Sequence, residues 1–475
     1  MKIREFISSL GIALICGLIS VNSSIAQIQL GASELERVQE SLRRDELTST
    51  ERSIFMAPYD VRKDSLEWGG WLNVSYYAFD EEDNQQGKDD ILDDLFNLDN
   101  RIWIKKTTTT GNFFYLRTKT AYRRFGWSRG ITFDLDDTEQ LGIDMAYVDF
   151  GAGPKHRFRL GRQYLHLGRG LVYSNVHDAL SWNGMFGNWS LSAFFSQSLP
   201  NENNLDYSVP GASDAQKRHF ISVSGRYRTS RGSDYYLYYL TQRDNSTEKP
   251  EDNGQEYDYD SQYLGFGTEG LFSKDFQYYA ELVREDGKSF ARGQNTVREQ
   301  IDAWAAILGT KYYSQARTHP VFSLEWAFGS GDGDRNNVLT TANGNLAGTK
   351  DRNFLYFGSY DGGSALAPRL SNMSILRLGF SFKPFEKYWR FKDFTFSAIY
   401  SDYTRLRENG AISDLEATIP GVSDIGKEID LYVKWRIFSD LSLNMNFAKF
   451  DPGDAFAVGT RDSETLFMTS ISFNY

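Results

Sequence analysis

"EIDLYVKWRI" (428–437) alternates with period two: Ile429, Leu431, Val433, Trp435 and Ile437 share one parity, and Glu428, Asp430, Tyr432, Lys434 and Arg436 share the other. Successive side chains of a β-strand point to opposite faces, so this strand shows hydrocarbon to one side and charge to the other. The pattern recurs at 441–447, where Leu441, Leu443, Met445 and Phe447 oppose Ser442, Asn444 and Asn446. At 321–328, Phe322, Leu324, Trp326 and Phe328 oppose Ser323 and Glu325. In "HRFRLGRQYL" (156–165), Arg157 and Arg159 oppose Phe158 and Leu160. A wall built of such strands separates two solvents.

The 475 residues are 15% aromatic, with 28 Tyr and 34 Phe against 10 Pro, a composition that favours strands. No Pro- or Ser-rich linker interrupts the chain after residue 68, which favours one unit. The first 26 residues read as a secretory signal: Lys2 and Arg4, an apolar run from Ile7 to Val21, then Ser24-Ile25-Ala26 as a small-x-small cleavage site. The single cysteine, Cys16, lies inside that segment, so the mature chain is expected to hold no thiol, disulfide or cysteine metal site. Beyond it no apolar run is long enough for a membrane helix, which leaves a secreted soluble protein or a barrel. A formal charge of −11 argues against nucleic acid as a partner. Residues 27–67 are read as a periplasmic segment. Within it Leu35, Val38 and Leu42 have helical spacing, compatible with a short helix or with a partly ordered terminus.

From Trp68 to the end the period is two, and about eighteen strand candidates follow, centred near 74, 102, 118, 146, 159, 173, 192, 222, 239, 265, 280, 306, 325, 378, 398, 432, 445 and 468. Their connections sort by parity. Short links at 109–111, 151–154, 229–232 and 438–440 tend to alternate with long polar ones at 81–96, 199–215, 245–257, 331–371 and 404–425. Short periplasmic turns and long extracellular loops produce this rhythm in antiparallel outer-membrane barrels, whereas a soluble sandwich has no reason for it. The chain ends on "MTSISFNY", with Phe467, Ile471, Phe473 and Tyr475 on one face. The fold class is therefore all-β: a single antiparallel transmembrane β-barrel over residues 68–475, in contact with outer-membrane lipid.

A lipid-facing Arg or Lys at mid-membrane costs about 2 to 4 kcal/mol, so the hydrophobic parity must face lipid and the charged parity the lumen. This places Arg101, Lys105, Arg117, Lys119, Arg123, Arg157, Arg159, Arg226, Arg228, Arg377, Lys434 and Arg436 inside. Asp144, Glu269, Glu281, Glu325, Glu428 and Asp430 join them, so inward cations outnumber inward anions twofold. Cross-strand Arg–Glu pairs that merely hold the wall are the competing reading for any one of them. The acidity lies in loops, at 80–94 and from Asp244 to Asp260, and a cation-rich interior in an acidic protein suggests an anionic solute. Two residues resist the rule: Asp149 has the opposite parity to Asp144 and is placed at the strand end, and Arg162 shares the lipid parity, which demands the rim or a bulge at Gly161.

A barrel of this size leaves an aqueous channel unless something fills it. The segment 329–373 is long enough for an inward-folded constriction, and equally for an exposed loop. No nucleotide motif is visible, and no cofactor or metal is expected. Asp332, Asp334 and Asn336 are spaced like the start of a calcium loop, but Asn343 stands where its Glu belongs. None of the five histidines forms a zinc-type pair, and His177-Asp178 is a catalytic candidate by adjacency alone.

The segments "HRFRLGRQYLHLGRG", "VHDALSWNG" (176–184), "FGSGDGDRN" and "APRLSNMSILRLGFSFKP" resemble the alginate-export family of outer-membrane channels. The resemblance implies a monomeric 18-stranded barrel that passes an anionic polysaccharide through an Arg- and Lys-lined lumen partly occluded by loops, without enzymatic activity. Arg157, Arg159, Arg162 and Arg377 carry the match to a basic pathway. The expected function is passage of an alginate-like, uronate-rich polysaccharide or oligosaccharide by diffusion or export, driven by a gradient or by periplasmic export proteins. The alternatives are a general or sugar-acid uptake porin, an outer-membrane hydrolase of barrel type, and a soluble secreted β-protein.

Overall fold

A computed structural model describes residues 64–80, 92–127, 137–199, 217–230, 232–245, 259–290, 297–335, 338, 345–413, 417 and 419–475. The signal sequence, the helical spacing at 31–52 and most of the acidic loops lie outside these residues. Eighteen strands run in sequence order: β1 (Ser65–Asp80), β2 (Leu92–Thr107), β3 (Phe113–Trp127), β4 (Asp137–Gly151), β5 (His156–His166), β6 (Ser174–Phe186), β7 (Trp189–Gln197), β8 (Arg218–Arg228) and β9 (Asp234–Asp244). They continue as β10 (Asp260–Ser273), β11 (Phe276–Phe290), β12 (Arg298–Tyr313), β13 (Val321–Gly329), β14 (Met373–Phe382), β15 (Phe394–Arg405), β16 (Asp424–Arg436), β17 (Leu441–Pro452) and β18 (Glu464–Asn474). Each strand pairs antiparallel with its neighbours in sequence, and β1 pairs with β18 to close the barrel. Closure leaves no sheet edge unpaired.

The strand centres read from the sequence fall inside these strands with one exception. Residue 173 precedes β6, because Tyr173 makes an isolated parallel bridge to Phe357 instead of joining the wall. The first strand also starts at Ser65, three residues before the period-two pattern is evident.

Short turns gather at one end, which identifies it as periplasmic. Gly111 and Gly232 close two of them with φ of 77° and 82°, a left-handed backbone that a Cβ disfavours. Aromatic pairs girdle the outside near that end, including Phe150–Phe158, Trp189–Tyr227 and Phe391–Trp435 with centroids 5.6, 4.9 and 4.7 Å apart. Such belts sit at the lipid headgroups. The C-terminal Tyr475 exchanges two 2.9 Å backbone hydrogen bonds with Gly70 and donates its hydroxyl to Asn100. A Cβ on Gly70 would lie 2.6 Å from the Tyr475 ring, so the glycine makes room for the chain end.

The largest hydrophobic core lies inside the barrel. Phe354, Leu355, Tyr356, Phe357, Leu366 and Leu370, all in the connection between β13 and β14, pack against the inner faces of Ile301, Ala303, Ala305, Val283 and Ile375. The connection folds inward; it is not an exposed loop.

Candidate solute pathway

The inward cations are distributed over β2, β3, β5, β8, β14 and β16. On β2 and β3, Arg101 and Arg117 point inward and are fully buried; both bind Asp144, and Arg101 also donates to Asp99 at 2.9 Å. Their guanidinium groups stack on the Trp71 ring, 5.7 and 5.3 Å from its centroid. Lys105 lies over Phe113 and 3.7 Å from Glu67; Lys119 is buried on the same face. Arg123 holds the inward parity higher on β3. These five residues are inward as the alternation required, but Arg101, Arg117, Lys105 and Lys119 lie within the wall lining and are not open to a solute. The balance around Arg101 and Arg117 is neutral, two guanidiniums against Asp99 and Asp144.

Asp144 owes its place to a bulge. Arg117 pairs with Met145 and Thr118 with Ile143, so Asp144 is the extra residue of β4 and the facing pattern flips across it. Leu141 and Ile143 are exposed to lipid below the flip in sequence, and Val148 and Phe150 beyond it. Asp149 is therefore inward as well, only 4% exposed, which corrects its assignment to a strand end. It accepts hydrogen bonds from Arg157 Nε at 2.6 Å and from Arg159 Nη2 at 3.0 Å. Arg159 also stacks 4.4 Å over Tyr147, whose ring lies 5.2 Å from Tyr115. This unit keeps one net positive charge, and both arginine side chains remain 28% exposed.

A second surplus lies three strands along the wall from β5, at β8 and β9. Arg226 and Arg228 clamp Asp234 at 3.1 and 2.7 Å, while Glu269 receives Arg226 at 2.8 Å and Arg169 at 3.7 Å. Three arginines against two carboxylates again leave one positive charge. Arg169 escaped the sequence reading because it sits in a bend between strands, where alternation assigns no face; it stacks 3.8 Å over Tyr279. Lys434 and Arg436 face inward at the periplasmic mouth, where Arg436 is 3.5 Å from Asp393.

Arg162 keeps its outward parity without any bulge at Gly161, since β5 runs in unbroken register with β6. It binds Asp178, its cross-strand partner, at 3.0 Å and donates to the Ile143 carbonyl left free beside the bulge. Asp178 points outward while the neighbouring His177 is buried and shares a 2.6 Å hydrogen bond with Tyr173, so the two stand on opposite faces of the wall. They form no catalytic pair.

Carboxylates on β11 to β16 bind protein folded into the barrel: Glu281 holds the β5–β6 connection, and Glu285, Glu325 and Glu428 hold the β13–β14 segment. Glu281 accepts from the Tyr236 and Tyr238 hydroxyls at 2.6 and 2.8 Å and from the Arg169 backbone at 2.7 Å. Those tyrosine rings lie flat over Gly267 and Gly265 of the next strand. Glu285 binds Tyr259, Tyr263 and the Leu355 N–H. Glu325 accepts from Tyr279 at 2.7 Å and Tyr360 at 2.8 Å. Burial, and then the Glu325 charge, push the Tyr360 phenol well above its usual range, which keeps it a donor. Glu428 takes the N–H groups of Ser364, Ala365 and Leu366 at 2.5, 2.9 and 3.0 Å. Arg377, predicted to line the pathway, instead binds the Asp361 carbonyl and lies 3.8 Å from Glu325. Glu281, Glu325 and Arg377 thus hold protein, not a solute, because a folded-in backbone presents donors and acceptors that must be satisfied.

The oxygens of Asp332 accept the N–H groups of Asp334 and Arg352 at 2.8 and 2.9 Å. Asn336 lies outside the described residues, and among those described no group of three or more His, Cys, Asp or Glu could hold a metal ion.

Between the two positive units lies an open cavity of about 390 Å³, lined by Arg159, Arg226, Tyr236 and Tyr238 and by small polar residues of β6, β7 and β8.

A family model described as Alginate export matches residues 82–468. No curated protein sequence matches the chain significantly. Among solved structures, the Pseudomonas aeruginosa outer membrane protein opdK is similar at 14% identity over 86% of this chain and 99% of that one, with a TM-score of 0.53. Pseudomonas aeruginosa OprD is similar at 13% identity over 88% and 97%, with a TM-score of 0.53. OccK11 (OpdR) of the same organism is similar at 13% over 86% and 95%, with a TM-score of 0.52. These likenesses are of fold. With most of its length matched by the family model and its sheet closed into an eighteen-stranded barrel, the chain belongs to the alginate export family and is an outer-membrane channel.

Proposed function

We propose that this channel passes an anionic, uronate-rich oligosaccharide or polysaccharide, by diffusion or export, without enzymatic activity. The observation that carries the reading is the pair of positive units flanking the open cavity, Arg157–Asp149–Arg159 on one side and Arg226–Asp234–Arg228 with Arg169 and Glu269 on the other. Each carboxylate fixes its arginines in orientation while leaving charge in excess. Guanidinium groups replace water around a solute carboxylate through paired hydrogen bonds, and several weak sites in series let a chain enter without being trapped. The acidic segments at 80–94 and 244–260 keep the protein as a whole anionic.

In this reading residues 1–26 are a cleaved signal, 27–67 a periplasmic segment, and the barrel acts as a single chain. Energy comes from a gradient or from periplasmic export proteins. The test is planar-bilayer recording of Arg157→Ala/Arg159→Ala: reversal potentials in a salt gradient should move toward cation preference, and unchanged potentials would sink the idea. The open cavity also fits a general or sugar-acid uptake porin. Competition by oligouronates against monomeric uronates separates the two, since only a polymer pathway holds the longer solute better.

A further inference from the structure

The wall between the two positive units carries a row of small neutral side chains. Cross-strand register sets Arg157 beside Asn183, Asn183 beside Ser192, and Ser192 beside Ser224. One step toward the periplasm, Ser190 lies beside Arg226. The alternation of β6, β7 and β8 turns these side chains to the cavity, while Leu180, Phe195 and Val223 on the other parity are exposed to lipid. From β5 to β8 there are three inter-strand spacings, about 14 Å. Bulky groups are absent from this row, so a solute can lie directly on it.

Hydrogen-bonding capacity is also left over. Ser192 and Ser224 share one 2.5 Å hydrogen bond between their hydroxyls, each keeping further capacity. Among the described residues Asn183 and Ser190 make no side-chain hydrogen bond and are exposed. A strip of neutral donors and acceptors with a guanidinium at either end matches a molecule that carries hydroxyls along its length and carboxylates at intervals.

We propose that Asn183, Ser190, Ser192 and Ser224 form a docking strip for a short acidic oligosaccharide, whose ring hydroxyls bind the strip while its carboxylates meet Arg159 and Arg226. This rests on the saccharide reading above and adds to it: the arginines select charge, and the strip selects a sugar. A simple anion feels only the arginines. The two contributions therefore separate by mutation.

The experiment is single-channel recording of the full-length protein with tri-galacturonate as probe, comparing the unaltered channel with Asn183→Leu/Ser192→Ala/Ser224→Ala. Losing several hydrogen bonds should shorten each blocking event roughly tenfold. Reversal potentials in a potassium chloride gradient should stay unchanged, and Ser192→Thr/Ser224→Thr, which keeps the hydroxyls, should retain the long events. Intact chloride selectivity shows that the variant barrel is folded. Blocking events of unchanged length in the triple variant overturn the strip and leave the channel reading standing. An unaltered channel that tri-galacturonate never blocks overturns both.

Discussion

Two arcs of one wall use the same alternation for opposite ends. Along β2 to β5 and at β8, inward arginines outnumber the carboxylates they bind, and the surplus borders the open cavity. Along β11 to β16, inward carboxylates and tyrosines bind the backbone and side chains of the segment between β13 and β14. Inward charge is thus not by itself a pathway. A charge facing open space is available to a solute, whereas one facing folded-in chain is part of a core.

The largest effect is expected from Asp144→Ala. It would leave Arg101 and Arg117, both without solvent access, short of their shared carboxylate. Breaking one side of a buried ion pair costs about 3 to 5 kcal/mol. The temperature at which the folded band disappears in heat-modifiable gel mobility should fall well below that of the unaltered barrel.

Next is Glu285→Ala/Glu428→Ala, which removes the acceptors of the Leu355, Ser364, Ala365 and Leu366 N–H groups. Hydrogen bonds to charged groups contribute about 1.5 to 3 kcal/mol each, so the segment should detach from that arc. Single-channel conductance should rise and become noisy. Steady, unchanged conductance would mean that the apolar contacts of Phe354 and Phe357, with the Tyr360–Glu325 and Arg377–Asp361 bonds, suffice to hold the segment.

Asp149→Asn sharpens the other arc. It raises the charge of the Arg157–Arg159 unit from one to two, and at about 1 kcal/mol per charge in a watery lumen, anion preference should increase a few-fold in reversal potentials. The smallest effect belongs to Arg436→Gln: its side chain is 62% exposed at the periplasmic mouth beside Asp393. Screening there should keep both stability and selectivity within about 0.5 kcal/mol of the unaltered channel.

The wall was legible because burial between lipid and lumen imposes a strict period of two. Ile429 to Trp435 against Glu428 to Arg436 could be assigned to faces with nothing but parity. The inward fold of the β13–β14 connection left a trace that parity alone passed over. "AWAAIL" (303–308) is apolar on both faces, with Trp304 and Leu308 exposed to lipid and Ala303, Ala305 and Ile307 buried in the barrel. A lumen face that is apolar needs something to cover it. The bulge at Asp144 left no comparable signature, and it alone decides that Asp144 and Asp149 both face inward.

Local pattern carried the approximate number of strands and their antiparallel direction, the lipid and lumen faces of most of them, and the end that carries long loops. These follow from local periodicity, which a single strand already expresses. Tertiary structure decided which inward charges are available. Whether Arg159 meets a cavity, Arg101 a buried aspartate or Glu428 a folded-in backbone depends on groups brought together across the barrel, and no local pattern encodes that distance.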